Sequence, residues 1–401
     1  RLAKQLREPA WMTDLRRQAW QQHQQLPWPH PSDDIWRRTD VSLLDPSQGF
    51  APAAQPWLQA VPLSHGALAD LIRPLGDEQL VVRANGNWVT DDRSSGLVIE
   101  DLVSAVQHDA EPIRQLLQVD GLSQAEQKLA SLNAAFHHDD VVVRVLEGWS
   151  DPRPVRLVRL VSVVGKQVTF PMTVIRVGRD SVVTLIDEYV SLRAEASEAP
   201  HLVHARIELV LEPNAKVHYV RLQRWDSQAR EFLLQRATLA GGATLTMANI
   251  NLGAALSKAH VITKLAGPAA SSKLYGFVFG HHQQHIDQHT LQDHQAPHTV
   301  SNLEFRAALQ DESRMVYTGL IRIAPQAKQT NAFQANHNLL LSRSAKAETI
   351  PMLEILADDV QCKHGASIGP IDDEQTFYLM SRGLPRQTAQ RLIVMGFIEP
   401  I

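Results

Sequence analysis

Short apolar runs rich in β-branched residues recur along residues 141–341, and they limit what the chain can fold into. Apolar and polar residues alternate clearly at 206–211 and 217–222, which predicts strands with one buried face. Turn residues separate the runs, and no helical pattern long enough for a crossover lies between them, so βαβ units are not expected. The predicted strands of this mainly β region are 141–145, 155–164, 168–177, 182–185, 205–211, 217–222, 244–249, 303–309 and 315–323.

The spacing of three strand starts narrows the choice of architecture. Lys216, Thr244 and Ser272 each follow a turn and lie 28 residues apart along the chain. A fixed period in short strands is typical of a solenoid whose successive coils stack on one another. An antiparallel sandwich of short strands also fits, so the residues by themselves leave these two folds open.

Composition restricts the partners and the compartment. The chain has 401 residues, 44% of them hydrophobic and 20% charged, as in a soluble globular protein with a large core. A net charge of −4 gives no basic surface for nucleic acid, and no apolar run is long enough to span a bilayer. One cysteine excludes an internal disulfide and suits a reducing compartment. We therefore expect the cytoplasm, or the plastid stroma if a transit peptide has been removed.

The first 140 residues have a different pattern. Helical periodicity at 2–24, which Pro9 interrupts, and six of the eight tryptophans before residue 100 predict a small, mostly helical domain. An Ala/Pro-rich stretch at 51–56 is expected to be a linker, and residues 80–86 predict a strand and a turn. Further helices are predicted at 101–106, 113–117 and 125–136.

A pair of candidate metal ligands lies near the C-terminus. Cys362, the only cysteine, is separated from His364 by one residue, and Gly365 and Gly369 are expected to let the backbone turn sharply around the pair. Thiolate and imidazole are ligands of zinc, copper and the iron of iron–sulfur clusters, and side chains two apart on a strand share a face. The pair alone is a weak signal, because a free cysteine is more often a small buried hydrophobic residue.

Longer sequence blocks surround that pair. The segment contains LEI at 353–355, DDEQ at 372–375 and SRG at 381–383, on either side of the Cys-x-His-Gly centre. With this order of residues, it resembles the C-terminal signature of the SufD family, the scaffold subunits of the SUF iron–sulfur cluster assembly machinery. Two N-terminal stretches are similar to the same family: 26–39, where an aspartate replaces the usual glutamate, and LNAAF at 132–136.

The resemblance implies a fold and domain boundaries. It implies a mainly β protein with a right-handed parallel β-helix over residues 141–345, which decides against the sandwich. It also implies a mostly helical N-terminal domain over residues 1–140. A helical C-terminal domain over residues 346–401 is expected to dock a SufC-like ATPase.

The resemblance further implies a function and partners. Members of this family are non-catalytic scaffolds that pair with SufB through the β-helix cores and bind the ATPase SufC through the C-terminal helices. Cys362 and His364 are then expected to hold a nascent iron–sulfur cluster or iron, shared with SufB rather than bound permanently. One thiolate is only part of a ligand set for such a cluster. Phe377, Tyr378 and Arg382 are the expected SufC contacts.

The cysteine count bears on which family member the chain resembles. A single cysteine and the lack of an N-terminal Cys-x-x-Cys pair favour SufD over its cysteine-richer paralogue SufB. A β-helix with an exposed end edge also allows the isolated chain to form a homodimer.

A different class of protein stays open from the residues alone. It is a β-helical enzyme that acts on carbohydrate, with Cys362 only structural. Such enzymes need clustered carboxylates, whereas the middle of this chain offers mainly isolated ones. The chain also lacks a complete phosphate-binding loop and a G-x-S-x-G nucleophile motif.

Histidines concentrate in one stretch of the predicted solenoid. Six of the 18 histidines lie within residues 281–298. On a helix, imidazoles four apart would share a face and bind a metal, but alternation along strands scatters them. We therefore expect surface and hydrogen-bonding roles for these histidines. His294 and Ser301 match a recurrent segment of the family and are not expected to be catalytic.

Overall fold

The computed structural model describes residues 2–52, 73, 76–84, 86–91, 94–119, 121–163, 165–193 and 199–399. Most of the predicted linker at 51–56 lies outside these residues. The helices are α1 (Leu2–Gln5), α2 (Ala10–Gln25), a 3₁₀ helix (Val41–Leu44), α3 (Leu102–His108), α4 (Ala110–Leu117), α5 (Gln124–Phe136), α6 (Asp373–Ser381) and α7 (Arg386–Ile398). The strands are β1 (Ala51–Pro52), β2 (Gln79–Ala84), β3 (Asn87–Asp91), β4 (Leu97–Glu100), β5 (Val141–Val145), β6 (Val155–Val163), β7 (Gln167–Thr169), β8 (Met172–Val177), β9 (Val182–Arg193), β10 (His201–Leu211), β11 (Lys216–Arg224), β12 (Ala229–Leu239), β13 (Thr244–Asn251), β14 (Leu256–Leu265), β15 (Ser271–Gly280), β16 (His285–His294), β17 (Val300–Leu309), β18 (Arg314–Ile323), β19 (Thr330–Leu340), β20 (Lys346–Ile355) and β21 (Val360–Pro370).

The strands wind into a parallel solenoid of about eight turns, with helices at both ends. From β8 onwards, each strand pairs in parallel with the strand two places further along, so the chain alternates between two sheets. Even-numbered strands from β8 to β20 lie in one sheet, and odd-numbered strands from β9 to β21 lie in the other. The predicted mainly β fold with a parallel β-helix core is confirmed, and the parallel pairing excludes the antiparallel sandwich.

The register of the strands explains the repeated spacing in the sequence. Lys216 aligns with Thr244, and Thr244 aligns with Ser271, one residue before the predicted strand start. The spacing of about 28 residues is therefore the length of one coil. Within a coil, every second side chain points inward, as Leu245 and Met247 do in β13. Stacking of these inward positions builds the apolar interior of the solenoid.

Helices cover the outer face of the even-numbered sheet. Trp36 is buried, and its ring centroid lies 5.9 Å from that of Phe232 on β12. Leu129 of α5 belongs to the same buried apolar cluster. The predicted N-terminal helices are confirmed, and the predicted interruption at Pro9 separates α1 from α2. None of the described helices combines the length and the hydropathy that a membrane crossing requires.

Several strands escaped prediction because their sequences are polar. In β16, eight of the ten residues are polar or charged, yet eight of the ten are buried.

 The two apolar residues of this strand are Ile286 and Leu291. Helices cover the outer face of this strand and the solenoid interior covers the other, so periodicity of apolar residues gives no signal. From β8 onwards, the strands that were not predicted from the sequence are β12, β14, β16, β19, β20 and β21.

The predicted domain boundaries differ from the structure at both ends of the solenoid. Near the N-terminus, β2 pairs in parallel with β6 and β4 pairs with β5, so the region before residue 141 contributes strands to both sheets. Near the C-terminus, β20 and β21 add a further coil, and the helical part begins only at Asp373. The expected boundary at residue 345 was therefore too early, because segment 346–370 carries exposed apolar residues and glycines that hide its strand pattern.

Candidate functional site

The candidate ligand pair lies on the last strand of the odd-numbered sheet. β21 pairs with β19 on one side, and among the described residues no strand pairs with its other edge. Cys362 aligns with Ala332, and His364 aligns with Gln334. Gln334 Nε2 donates a hydrogen bond to the Gly319 carbonyl on β18, in the opposite sheet, at 3.2 Å. Since in-register neighbours face the same way, Cys362 and His364 share the face that closes the interior at the end of the solenoid.

The two candidate ligands differ in their surroundings. Cys362 is half-buried and packs against a small apolar cluster that includes Ile323 and Ala332. Burial raises the pKa of the Cys362 thiol, so the thiol is protonated at neutral pH until a metal displaces the proton. His364 is exposed to solvent. The arrangement therefore offers an accessible imidazole beside a sheltered thiol.

The glycines next to the pair do not bend the chain. Gly365 and Gly369 both lie within β21, which continues to Pro370, and neither has a positive φ. The prediction of a sharp turn around the pair was wrong, because strand pairing with β19 holds this backbone extended. A Cβ atom at Gly365 would meet no neighbouring atom within 4 Å, so the space beside the ligands is open.

Apolar side chains surround the ligands at the end of the solenoid. Edge strands usually carry charges or are covered, because an exposed apolar edge pairs with other chains. Here the edge strands and the residues next to them expose large apolar side chains, and the most exposed is Leu356 at 57%. This surface was not predicted from the sequence, and the signal that could have found it is the almost continuous apolar run at 350–356, interrupted only by Glu354. Its members are Phe333, Leu353, Ile355, Leu356 and Ile368.

The predicted ATPase contacts lie together on α6. Asp372 caps this helix by accepting hydrogen bonds from the backbone N–H groups of Glu374 at 2.8 Å and Gln375 at 3.3 Å. Phe377 and Tyr378 are 71% and 57% exposed. Arg382 Nη2 donates to the Tyr378 hydroxyl at 3.2 Å, and its guanidinium lies 5.2 Å from the centre of that ring.

The helix pair is attached to the solenoid by α7. The Arg306 guanidinium of β17 donates to the Phe397 carbonyl and lies 5.5 Å from the Phe397 ring centre. Thr376 and Ala389 are buried, which marks the packed side of the two helices. The exposed side, with Phe377, is therefore available to a partner.

The histidine-rich stretch is not a surface feature as a whole. His289 and His294 are buried, so the expected surface role was wrong for them, because both faces of β16 are covered. The hydrogen-bonding role is confirmed for His294, whose Nδ1 lies 2.8 Å from Thr299 Oγ1 and whose Nε2 lies 2.9 Å from Ser301 Oγ. Burial lowers the pKa of His294 to about 4, so this imidazole is neutral.

Carboxylates buried in the solenoid are engaged by arginines. Asp187 lies 3.4 Å from Arg159, and Glu208 lies 2.7 Å from Arg206. Glycoside hydrolysis needs a carboxylic acid and a carboxylate that face one sugar, and carboxylates held by arginine are poor proton donors. These ion pairs therefore favour a structural role for the buried carboxylates.

The fold is a parallel β-solenoid whose C-terminal end carries the Cys362 and His364 pair. Residues 160–397 match the family described as "SUF system FeS cluster assembly, SufBD core domain". This match covers more than half of the chain, and the chain belongs to that family. The family membership predicted from the sequence is confirmed.

Individual relatives agree with this membership. The chain is 33% identical over 214 residues to "Iron-sulfur cluster assembly protein SufD" of Escherichia coli, which covers 53% of this chain and 50% of that protein. It is 26% identical over 387 residues to an "Iron-sulfur cluster assembly SufBD family protein" of Synechocystis, which covers 93% of this chain and 83% of the relative. A SufBD family protein of Staphylococcus saprophyticus is 24% identical over 423 residues, covering 98% of this chain and 85% of the relative.

Proposed function

We propose that this chain is a non-catalytic scaffold subunit of a SUF assembly complex, and that a nascent iron–sulfur cluster forms on it at Cys362 and His364. The observation that carries the proposal is the position of this pair on a terminal strand with a free edge, beside exposed apolar side chains. The cluster is cargo, held only until it is passed on. Membership in the SufBD family supports the same role.

The ligand set needs a second subunit. One thiolate and one imidazole cannot complete the coordination of a cluster, whose irons are usually held by several thiolates. A second SufBD subunit, SufB in our proposal, supplies the remaining ligands from its own solenoid end. Strand addition to β20 or β21 would form main-chain hydrogen bonds and would bury Leu353, Ile355 and Ile368. The same edges allow a homodimer when the chain is isolated.

The ATPase partner docks elsewhere on the chain. Phe377, Tyr378 and Arg382 present two aromatic rings and a guanidinium, the residue types that dominate binding energy at protein interfaces. We propose that a SufC-like ATPase binds this surface of α6. ATP hydrolysis would then move the two scaffolds relative to each other and open the ligand pair to iron and sulfide.

The test is reconstitution of the complex with the partner scaffold and the ATPase under anaerobic conditions. His364→Ala is expected to lower the iron and sulfide content, while the fold and ATPase binding stay intact. Cys362→Ser is expected to have a similar or milder effect, because the partner supplies further thiolates. His337→Ala is the matched control, since this histidine lies on the neighbouring strand β19 and hydrogen-bonds Ser367 Oγ at 2.7 Å. Wild-type loading in both single variants and in the double variant would leave Cys362 and His364 as packing residues.

A further inference from the structure

A second group of candidate ligands lies beneath the helical cover, away from the C-terminal pair. Glu126 projects from α5, His260 from β14 and His289 from β16. His260 and His289 align in register on adjacent parallel strands, and their ring centroids are 5.0 Å apart. One ligand atom from each of the three residues lies within 4.8 Å of the others.

The three side chains are removed from solvent, and their polar atoms are incompletely paired. Glu126 is 7% exposed, His260 is fully buried and His289 is 5% exposed. Within the described part of the chain, His260 Nε2 and His289 Nε2 have no hydrogen-bond partner. Buried polar atoms in native proteins are nearly always paired, so two unpaired nitrogens on adjacent rings are candidates to hold a ligand.

The ionisation states in the cluster suit a cation. Burial lowers the pKa of both His260 and His289, and neutral imidazole is the form that binds metals. Burial raises the pKa of Glu126, but hydrogen bonds with His260 and Ser123 outweigh it and lower the pKa overall. The cluster therefore combines one carboxylate with two imidazoles, donor types that divalent transition metals bind.

The carboxylate is held in a fixed orientation. Ser123 caps α5, and its backbone N–H and hydroxyl donate to Glu126 Oε2 at 2.9 and 2.7 Å. The other oxygen, Oε1, lies 2.9 Å from His260 Nδ1. Hydrogen bonds of this kind orient the first ligands in metal sites. Helix capping thus presets one ligand toward the two imidazoles.

The nearest charges outside the cluster form an ion pair, so they largely offset each other. One step along the same faces of β14 and β16, Lys258 aligns with Asp287, and their side chains form an ion pair at 2.7 Å. Lys258 Nζ also donates to the Ile35 carbonyl. The positive charge of Lys258 is therefore balanced locally.

We propose that Glu126, His260 and His289 form a site for a divalent transition-metal cation, Zn²⁺ or Fe²⁺, separate from Cys362 and His364. Two imidazoles and one carboxylate are a recognised ligand set for both ions. Zinc–ligand bonds are about 2.0–2.2 Å long, so the three ligand atoms draw together when the ion binds. Glu126 stays ionised, and each neutral histidine keeps its single ring proton on the nitrogen that does not bind the ion, so binding releases no proton. The bound ion would connect α5 to strands β14 and β16 of the solenoid.

The test uses the full chain with Cys362→Ser and His364→Ala, which removes the C-terminal pair. After chelator treatment, the protein is titrated with Zn²⁺ and, anaerobically, with Fe²⁺, with bound metal and heat measured. One equivalent of at least one ion is expected to bind, and the comparison decides which ion the site prefers. Anomalous X-ray scattering from crystals of the loaded protein is expected to place the ion among the three residues.

Variants of the ligands sharpen the test. Glu126→Gln, which is nearly isosteric, and His289→Asn are each expected to weaken binding by more than roughly 100-fold, since even loss of an outer hydrogen-bond partner costs about 10–100-fold. His294→Asn is the matched control, a buried histidine of the same strand, and is expected to retain binding. Thermal melts without metal check that each variant is folded. Absence of a bound equivalent in the parent protein, or an ion located elsewhere, overturns the proposal whether or not the variants fold.

Discussion

The covered middle of the solenoid and its open C-terminal end share one hydrogen-bonding pattern but differ in what lies on it. In β12, beneath the helices, eight of eleven residues are buried, whereas in β21 none of eleven is. Both strands pair in parallel and in register with a neighbour. The difference teaches that the fold sets the backbone of every coil, while the cover decides whether its side chains stabilise the chain or remain available to partners.

The largest effect on the free energy of unfolding is expected when a large side chain is removed from the covered region. Trp36→Ala is expected to lower the free energy of unfolding by about 3–5 kcal/mol, because it leaves a cavity beneath the helical cover. Leu356→Ala at the open end is expected to change it by less than about 0.5 kcal/mol. Urea unfolding followed by circular dichroism measures both. Equal losses would show that the open end is as tightly packed as the middle.

A lower pH is expected to destabilise the folded chain through a buried histidine of the covered region. The pKa of His294 is about 4 in the folded chain and about 6.5 when unfolded, so below about pH 6.5 the unfolded state binds a proton that the folded state does not. Stability is therefore lost as the pH falls from about 6.5 toward about 4, by roughly 2 kcal/mol at about pH 5 from this residue. His294→Asn is expected to make the pH dependence of urea unfolding shallower. If the free energy of unfolding of this variant depended on pH as steeply as that of the wild type, His294 would not be the group responsible.

Changes on α6, which follows the last strand β21, are expected to weaken binding of the ATPase without a change in stability. Arg382→Glu, or Phe377→Ala combined with Tyr378→Ala, is expected to weaken binding of a SufC-like ATPase about tenfold, or about 1.4 kcal/mol. Isothermal titration calorimetry measures the affinity, and thermal melts report the fold. Arg391→Glu on α7 is the charge-matched control. Unchanged affinity in folded variants would place the ATPase on another surface.

The smallest expected effect concerns the pH at which the ligand pair is loaded. Burial raises the pKa of Cys362, so the thiolate fraction increases with pH throughout the neutral range. Cluster loading on the assembled complex is expected to become faster, by several-fold, between about pH 7 and about pH 8. Cys362→Ser is expected to lose that part of the dependence. A rate that is flat with pH in the wild type would show that deprotonation of Cys362 does not limit loading.

Sequence reasoning succeeded where one face of a strand is buried and the other is not. Strands such as β11 and β13 alternate visibly, and their spacing gave the coil length. It failed where both faces are covered, as in β16, and where neither is fully covered, as in β21. Alternation reports a difference between two faces, and these strands have none.

The two candidate sites also differ in how far the sequence predicts them. Cys362 and His364 lie two residues apart on a strand, so their common face followed from the sequence. Glu126 and His260 are 134 residues apart, and only the packing of α5 on the sheet brings them within 2.9 Å. No local sequence pattern predicts the contact between these two residues. The exposed surface around Leu356 also depends on where the solenoid ends.

Because the strands pair in register, the number of coils sets the length of the solenoid. Strands of one sheet lie about 4.8 Å apart, so the six steps from β9 to β21 span roughly 29 Å. A residue added to a turn between strands leaves this distance unchanged, whereas removal of one whole coil shortens it by a single step. The separation between the helical cover and the ligand strand is thus counted in coils, and it can change only by whole steps.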